Sequence, residues 1–546
     1  MRVTAVAAAL FLVALAAGYG SSGGATEASG SATLKSDPRV PNGSVLSISC
    51  GAPGDCAAGG NYRAGRIQEA FVVSEKNGSW GKAIEVPGTA TLSNGGKASV
   101  ESVSCAAAGA CVAGGYYTDD THRQQAFVVS ETNGRWRNAI EVPGTAARNR
   151  APGHWNGVGA VNAVSCAAAD ECTAGGASSD SRNDDRAFVV DESKGSWGKA
   201  IAVAGAGTLG GGGGFTLVNA VSCAAVGDCT AGGNYYYPIG LHGFVVSETN
   251  GSWGAAIDVP GTAALDPFPG EVDARVDSLA CAAAGDCAVG GPYWDGQYDQ
   301  LFVVDETNGS WSNAIEVPGW AALKQWDPAN VGMNSVSCGA AGDCAAGGVY
   351  SGGSDLCDFA AFVVSEANGS WGDALRVPGT GCYSQVESVS CAAAGDCVAG
   401  GYDADGAFVA DEKNASWGSA ITVPGPMNNE GTASDVNSVS CAAPGDCAAG
   451  GDSPYSHAFV VSEANGSWSN AIEVRFAHAC VVPSVTGSTI SVAETMLTRA
   501  HCGLGKIAYV YADWKKGLVL DVHPIPGRIL PPGTPVALTL SKGPKP

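Results

Sequence analysis

The sequence predicts an all-β fold in which eight repeats form one β-propeller of eight blades, followed by a small α+β domain. Three observations lead to this prediction. Sixteen of the 20 cysteines fall into C-x5-C pairs that recur every 50 to 61 residues, each interval holds two hairpin patterns, and the pattern stops near residue 475. Repeats of this length are typical of propellers and solenoids. We prefer the propeller, because the ends of a solenoid usually carry atypical repeats, and the first and last repeats here are ordinary.

Each repeat is predicted to contain four strands in two hairpins. In the eighth repeat, alternating residues lead to Cys441, a tight turn follows, and a second run begins at Cys447. The second half has a Phe-Val-Val strand, an Asn-Gly turn and a Trp-led strand ending in Ile-x-Val, and Asn-Gly between apolar runs is a strong hairpin signal. The tryptophans of this strand are predicted to pack between neighbouring repeats. They are Trp80, Trp136, Trp197, Trp253, Trp311, Trp371, Trp417 and Trp468.

The cysteines are predicted to form disulfides, because their number is even and the chain carries an export signal. Histidines do not recur with the pairs, which argues against zinc. Each C-x5-C bridge would close one hairpin and contribute about 2 kcal/mol. The pairs are Cys50/Cys56, Cys105/Cys111, Cys166/Cys172, Cys223/Cys229, Cys281/Cys287, Cys338/Cys344, Cys391/Cys397 and Cys441/Cys447, with Cys357/Cys382 and Cys480/Cys502 left as two further pairs.

The chain divides into four segments. Residues 1–18 are predicted to be a signal peptide, with Arg2 before an apolar run. Residues 19–43 form a Gly/Ser-rich flexible linker, 44–475 the propeller, and 478–546 the C-terminal domain. No later stretch reaches 18 apolar residues, so no transmembrane segment is expected. The predicted location is secreted, extracellular or cell-wall-associated.

A ligand site is predicted on the side of the propeller where the loops vary in length. Turns of fixed length and variable loops alternate, so the variable loops share one side, where binding residues concentrate. An aromatic residue follows the Gly-Gly of the second strand in seven repeats: Tyr62, Tyr116, Tyr235, Tyr293, Tyr350, Tyr402 and Tyr455. The same loops carry the acids Asp119, Asp120, Asp184, Asp185, Asp295, Asp299, Asp403 and Asp405. Rings and carboxylates together could bind a sugar, and the carboxylates could hold calcium; no other cofactor is expected. The alternative is that the tyrosines cap strand ends and the acids keep the loops solvated.

Charge separates the two domains. The whole chain has a net charge of -23, and residues 478–546 hold seven basic and three acidic residues, or +4, so the preceding residues carry -27. An acidic propeller argues against nucleic acid as a partner.

The C-terminal segment contains Val482-Pro483-x-Val485-x-Gly487, Pro524-x-Pro526-Gly527 and a Pro-Pro-Gly run at 531–533. In these motifs it resembles PASTA domains, which occur in penicillin-binding proteins and in kinase ectodomains and are associated with peptidoglycan recognition. The resemblance implies contact with peptidoglycan or another cell-wall polymer; alternatively, the domain only spaces or caps the propeller. Ser74 to Trp80 also resembles a sialidase-type Asp-box that is one residue short, which implies fold and not activity.

Two functions are carried forward. The leading hypothesis is a non-enzymatic, cell-wall-associated binding protein whose C-terminal module contacts peptidoglycan, while the propeller presents a site for a carbohydrate or protein ligand. The alternative is a carbohydrate-active hydrolase of sialidase-like ancestry. Such an enzyme needs separated paired carboxylates or clustered arginines, and no arginine recurs with the repeats. No catalytic residue is assigned, because the sequence contains no metalloprotease, phosphate-loop or nucleophile-elbow motif.

Overall fold

The structure is a computed structural model that describes residues 42–64, 67–93, 96–145, 159–179, 184–209, 215–237, 240–265, 273–323, 331–351, 359–425, 434–453, 457–476, 480–530 and 533–545. These residues belong to one compact unit, Pro38–Pro546. The predicted signal peptide and nearly all of the predicted linker lie outside them.

Residues 43–473 form an all-β region of repeated antiparallel sheets, and within the described ranges each of the eight repeats has one sheet of four or five strands. In every sheet the first three strands follow one another in chain order. The first strands are Gly43–Ala52, Ala98–Ala107, Gly159–Ala168, Thr216–Ala225, Ser278–Ala283, Gly332–Ala340, Gln385–Ala393 and Asp435–Ala443. The second strands are Asp55–Ala64, Ala110–Thr118, Glu171–Ser179, Asp228–Tyr237, Asp286–Trp294, Asp343–Tyr350, Asp396–Asp403 and Asp446–Asp452. The third strands are Ile67–Lys76, Gln124–Thr132, Asp185–Ser193, Gly240–Thr249, Asp299–Thr307, Ala360–Ala367, Gly406–Asp411 and Ala458–Ala464.

The prediction of one continuous Trp-led strand is wrong, because two short strands take its place and both pair with the third strand. The fourth strands are Ser79–Trp80, Arg135–Trp136, Ser196–Trp197, Ser252–Trp253, Ser310–Trp311, Ser370–Trp371 and Ser467–Trp468, with an isolated bridge from Glu412 to Trp417 in repeat seven. The fifth strands are Ile84–Glu85, Ile140–Glu141, Ile201–Ala202, Ile257–Asp258, Ile315–Glu316, Leu375–Arg376, Ile421–Thr422 and Ile472–Glu473. The break occurs where the chain turns towards its neighbour: the Ala139 amide donates to the Pro87 carbonyl of the preceding repeat at 2.6 Å.

Short helices follow some of the fifth strands. Those in the described part of the repeats are Thr89–Ser93, Ala206–Leu209, Thr262–Leu265 and Trp320–Leu323.

The disulfide prediction is confirmed for all eight C-x5-C pairs. In repeat one, Cys50 and Cys56 face each other across the hairpin with their Cα atoms 3.9 Å apart. Cys480 and Cys502 are also bridged, and Cys382 is disulfide-bonded, while its predicted partner Cys357 lies outside the described residues. No described cysteine is free, as is typical of extracellular proteins.

The two cysteines of each C-x5-C pair differ in exposure. The first cysteine of every pair is partly exposed. The second is only 3–5% exposed, because it lies on the second strand, which has a neighbouring strand on each side. These buried cysteines are Cys56, Cys111, Cys172, Cys229, Cys287, Cys344, Cys397 and Cys447. The bridges are therefore part of the packed interior, where they stabilise the hairpins and offer little sulfur surface to a ligand.

The two turns of fixed length in each repeat lie at the same edge of the sheet. At the Asn-Gly turn of repeat one, Asn77 and Gly78 have φ of +50° and +74°, as a type I′ hairpin turn requires. The Gly78 amide donates to the Gly54 carbonyl in the turn between the two cysteines, at 2.8 Å. The loops of variable length therefore emerge at the opposite edge.

Neighbouring sheets are joined through their first strands, where backbone amides donate hydrogen bonds to serine hydroxyls of the preceding repeat. The Val103 amide donates to Ser47 Oγ of the preceding repeat at 2.9 Å. The same contact joins the ends of the region, since the Ile48 amide donates to Ser438 Oγ at 3.1 Å. The Ser-x-Ser-Cys pattern thus satisfies backbone donors that would otherwise be left at a sheet edge.

The Gly-Gly of each second strand leaves room for two close contacts, one with a side chain of the next repeat and one with the backbone of the first strand. A Cβ added at Gly59 would lie 2.6 Å from Val100 of the next repeat, and one at Gly60 would lie 2.0 Å from the Ser44 carbonyl oxygen. The phenylalanine of each third strand is buried beside this contact. The predicted inter-repeat packing of the tryptophans is also observed: the Trp136 indole donates to Ser74 Oγ of the preceding repeat at 3.2 Å.

The C-terminal domain combines one helix, Ile490–Arg499, with two small sheets. Gly503–Val510 pairs parallel to Pro535–Ser541, which pairs antiparallel to Val519–His523. Cys480–Val481 pairs with Ile529–Leu530. The domain has its own apolar core, against which Ala90 of the first repeat also packs.

Candidate functional site

Six of the seven aromatic residues predicted as ligand contacts lie in the described part of the chain, and they differ in exposure. Tyr62, Tyr235, Tyr293 and Tyr350 are buried, with at most 5% of their surface exposed. Tyr116 and Tyr402 are partly exposed, and Tyr455 lies outside the described residues. Burial of the first four agrees with the alternative in which these tyrosines pack at strand ends. Ligand binding by the set stays a prediction.

Three of the four buried tyrosines are hydrogen-bonded to carboxylates of the fifth strands, whereas the fifth strand of repeat six, Leu375–Arg376, offers Tyr350 no carboxylate. The Tyr235 hydroxyl donates to Asp258 at 2.5 Å, and Tyr62 is hydrogen-bonded to Glu85. Burial, reinforced by the charge of Glu85, raises the pKa of Tyr62 well above its usual value. The partly exposed Tyr402 also has a raised pKa, about 12, first because of burial and then because of Glu387 and Asp435. These phenols therefore stay protonated at neutral pH.

The loop acids act within their own loops. Asp119 accepts from the Thr121 and Arg123 amides at 2.8 and 3.0 Å, and these hydrogen bonds outweigh burial and lower its pKa. Asp295 organises its loop in the same way, and Asp184 pairs with Arg186 at 2.9 Å. Within the described ranges, no three Asp, Glu, His or Cys side chains are arranged to hold a metal ion. Calcium binding stays a prediction from the sequence.

A buried glutamate lies at each described interface between repeats, and its partner varies. The Ser74 hydroxyl donates to Glu131 of the next repeat at 3.0 Å. Repeats three, five and seven have Asp191, Asp305 and Asp411 where the others have serine, so a second carboxylate faces the glutamate. Burial, followed by the charge of that aspartate, raises the pKa of the facing glutamate to about 7 in all three cases. These glutamates are Glu248, Glu366 and Glu463.

The C-terminal domain docks on repeat one through a buried ion pair. Arg528 Nη2 lies 3.0 Å from Glu69 Oε2, 3.1 Å from Ser93 Oγ and 3.7 Å from Glu85 Oε1. All four side chains are buried. Burial raises the pKa of Glu69 to about 7, although the charge of Arg528 opposes the rise. The contact was not foreseen, because nothing in the sequence marks Glu69 and Arg528 as neighbours.

An exposed group of side chains on the C-terminal domain, here called the aromatic surface, comprises Tyr509, Tyr511, Trp514 and Lys542. The three rings are 54%, 53% and 45% exposed, and Lys542 Nζ lies 5.2 Å from the centre of the Tyr511 ring. The Lys542 amide donates to the Val510 carbonyl at 2.7 Å, which holds the two segments together. Sequence reasoning did not single out these rings. The available signal was that every aromatic residue of 478–546 falls within six positions.

Comparison with known proteins finds only distant structural similarity. No family model and no curated protein matches this chain. Among solved structures, the Myceliophteria thermophila Cps50 (Swd1) β-propeller domain is 10% identical, with a TM-score of 0.35, covering 66% of this chain and 94% of that one. The Dos1 propeller is 9% identical, with a TM-score of 0.42 and coverage of 80% and 95%. The Hadza microbial sialidase Hz136 is 10% identical, with a TM-score of 0.35 and coverage of 61% and 66%. Two of these three neighbours are β-propellers by name, and the third is a sialidase. None of the helices in the described residues is long and apolar enough to cross a membrane.

Proposed function

We propose that this chain is a secreted, cell-wall-associated binding protein: an eight-bladed propeller presents a ligand site, and a PASTA-like C-terminal module contacts peptidoglycan or another wall polymer. The observation that carries the proposal is the aromatic surface. Exposed rings stack on sugar rings, and a nearby ammonium group favours anionic polymers. The remaining support comes from ring closure and from two partly exposed tyrosines of the repeat region.

Closure of eight blades into one ring is supported by contacts between the last and first repeats. The Ala83 amide donates to the Arg475 carbonyl at 2.9 Å, as Ala139 does to Pro87 between repeats one and two. The Trp80 indole donates to Ser462 at 2.9 Å, and the Ser462 hydroxyl donates to Glu75 at 2.7 Å. Repeat eight thus contacts repeat one as other neighbours contact each other.

A site on the propeller is supported by the partly exposed Tyr116 and Tyr402. Gln68 donates to the Tyr116 hydroxyl at 3.3 Å, and the Tyr402 hydroxyl donates to Gln385 at 3.4 Å. Amides and phenols on the variable-loop side suit hydroxyl-rich ligands such as carbohydrates. The hydrolase alternative stays a prediction from the sequence.

The test is retention of the full chain on purified cell walls. Tyr511→Ser with Trp514→Ser removes two exposed rings, and we expect binding to fall about 30-fold, since each stacking contact is worth roughly 1 kcal/mol. The matched control is Tyr236→Ser with Trp294→Ser, which removes rings that are 46% and 37% exposed on the repeat region. Substitution is preferable to deletion of the domain, because deletion would leave Glu69 and Glu85 without Arg528. Equal retention of both variants would contradict the proposal.

A further inference from the structure

Charge is not uniform along the repeat region. Repeats four to eight, residues 216–475, contain 31 acidic and five basic residues. Repeats one and two, residues 44–145, contain nine acidic and eight basic residues. The first two repeats are therefore close to neutral within a strongly acidic chain, and the position of their basic residues decides what they can bind.

Four of these basic residues line one groove between repeats one and two, here called the basic groove. It has a volume of about 860 Å³ and is bordered by Lys76, Lys82, Arg135 and Arg137. All four side chains are exposed, and none forms an ion pair within the described ranges. Lys76 Nζ donates to the Gly134 carbonyl at 3.2 Å, which holds its ammonium group across the groove. Glu131 is the one acidic residue of the lining, and it is buried and bonded to Ser74.

The corresponding groove between repeats four and five lacks the four cations. It is bordered by Asp228, Glu248 and Glu306, and no basic side chain lines it. The difference comes from exposed positions of the shared pattern. Arg135 stands where every other repeat has serine, and Arg137 stands where the others have glycine or serine. Because the other repeats fold with serine or glycine at these two positions, the fold does not require the arginines. A role in binding would explain their presence.

We propose that the basic groove binds an acidic polysaccharide. Four unpaired cations exceed what a single anionic group needs, so the ligand carries repeated charges. The amides of Asn133 and Asn138 and the apolar Ile84 and Pro87 line the same groove. Amides bond hydroxyl groups and apolar carbons contact the faces of sugar rings, whereas a ligand of bare phosphates would use only the cations. The groove shares no residue with the aromatic surface, and the proposal does not depend on wall binding by the C-terminal domain.

The test measures binding of a defined oligogalacturonate to the full chain by calorimetry at low salt. Arg135→Ser with Arg137→Ser replaces both arginines with residues that other repeats use, so the fold is expected to be retained. We expect affinity to fall about tenfold or more, because each arginine would lose a charge-assisted hydrogen bond. The matched control, Lys194→Asn with Lys199→Asn, removes two exposed charges from repeat three and is expected to bind as the unaltered chain does.

Two further ligands test whether binding needs both the charge and the sugar rings of the ligand. A neutral oligosaccharide of equal length should bind at least tenfold more weakly, and polyphosphate should bind less tightly than oligogalacturonate. The proposal is overturned if the unaltered chain does not bind oligogalacturonate, if both double variants lose affinity equally, or if polyphosphate binds more tightly. If the unaltered chain does not bind oligogalacturonate but is retained on cell walls, only the groove proposal fails. If it binds oligogalacturonate but is not retained on cell walls, only the function proposed for the C-terminal domain fails.

Discussion

Repeats one and two share a backbone with repeats four to eight, yet they differ in what they present. Both regions have the same bridged hairpin and the same serine contacts between first strands, and their Asn-Gly turn is replaced only in repeat seven, by Asn414-Ala415. The first region carries a basic groove and the docked C-terminal domain, whereas the later repeats carry acidic grooves and carboxylate pairs. The difference teaches that stability resides in the buried pattern, while exposed positions and the partners of buried glutamates are free to differ between repeats.

The largest effect is expected at the contact that only repeat one makes. Arg528→Met leaves Glu69 and Glu85 buried without their cation, and we expect a loss of about 3 kcal/mol in the free energy of unfolding at pH 8. The loss should be smaller at pH 6, because Glu69, with a pKa of about 7, takes up a proton and no longer needs a positive partner. Urea unfolding at both pH values measures it. The exposed Arg499→Met serves as the control, and equal losses for both variants would show that docking does not depend on the ion pair.

A second prediction asks whether the scaffold is the same in both regions. Replacing Cys50 and Cys56 with alanine, or Cys281 and Cys287, opens loops of equal length in repeats one and five. Each pair should therefore lower the free energy of unfolding by about 2 kcal/mol. Unfolding curves of the two variants decide this. If the two losses in free energy of unfolding differ several-fold, the disulfides of repeats one and five do not stabilise the fold equally.

The smallest effect is expected at the carboxylate pairs of the later repeats. Asp411→Ser installs the residue found in repeats one and two, so its hydroxyl can donate to Glu463, one of the glutamates with a pKa of about 7. Aspartates 228, 343 and 446 and Lys413 also face these glutamates. The folded-state pKa lies above the unfolded value, so the folded chain binds more protons, and stability falls as pH rises from about 4.5 to 7. At pH 8 we expect Asp411→Ser to raise the free energy of unfolding by about 1 kcal/mol.

The reverse substitution is the matched control for that prediction. Ser130→Asp in repeat two would place a carboxylate beside Glu192, which now accepts from the Ser130 hydroxyl at 2.7 Å. It should lower stability at pH 8 and steepen the dependence on pH between 4.5 and 7. Thermal unfolding over pH 5 to 8 compares both variants with the unaltered chain. A gain in stability for Ser130→Asp would contradict the account of the carboxylate pairs.

Local features of the fold were predictable from the sequence because their causes lie within a few residues. A C-x5-C pair brackets a single turn, and Asn-Gly favours left-handed backbone, so hairpins, bridges and the side on which loops emerge followed directly. The broken fourth strand was missed, because the break depends on an amide that bonds to the preceding repeat. The tyrosines were located at strand ends, but their burial against Glu85 and Asp258 was not predictable from the alternating pattern.

By itself the sequence determined the repeat, its disulfide pairing and the contrast in charge between the propeller segment and the C-terminal segment. Only the tertiary structure decided which cysteine of each pair is buried, which glutamate meets a serine and which meets an aspartate, and that four cations of two repeats line one groove. It also decided that Arg528 reaches Glu69 across 459 positions of the chain. The physical reason is range: turn geometry and cross-strand bridges depend on neighbours in the chain, whereas contacts between repeats and domains depend on how complete sheets stack, which no single segment encodes.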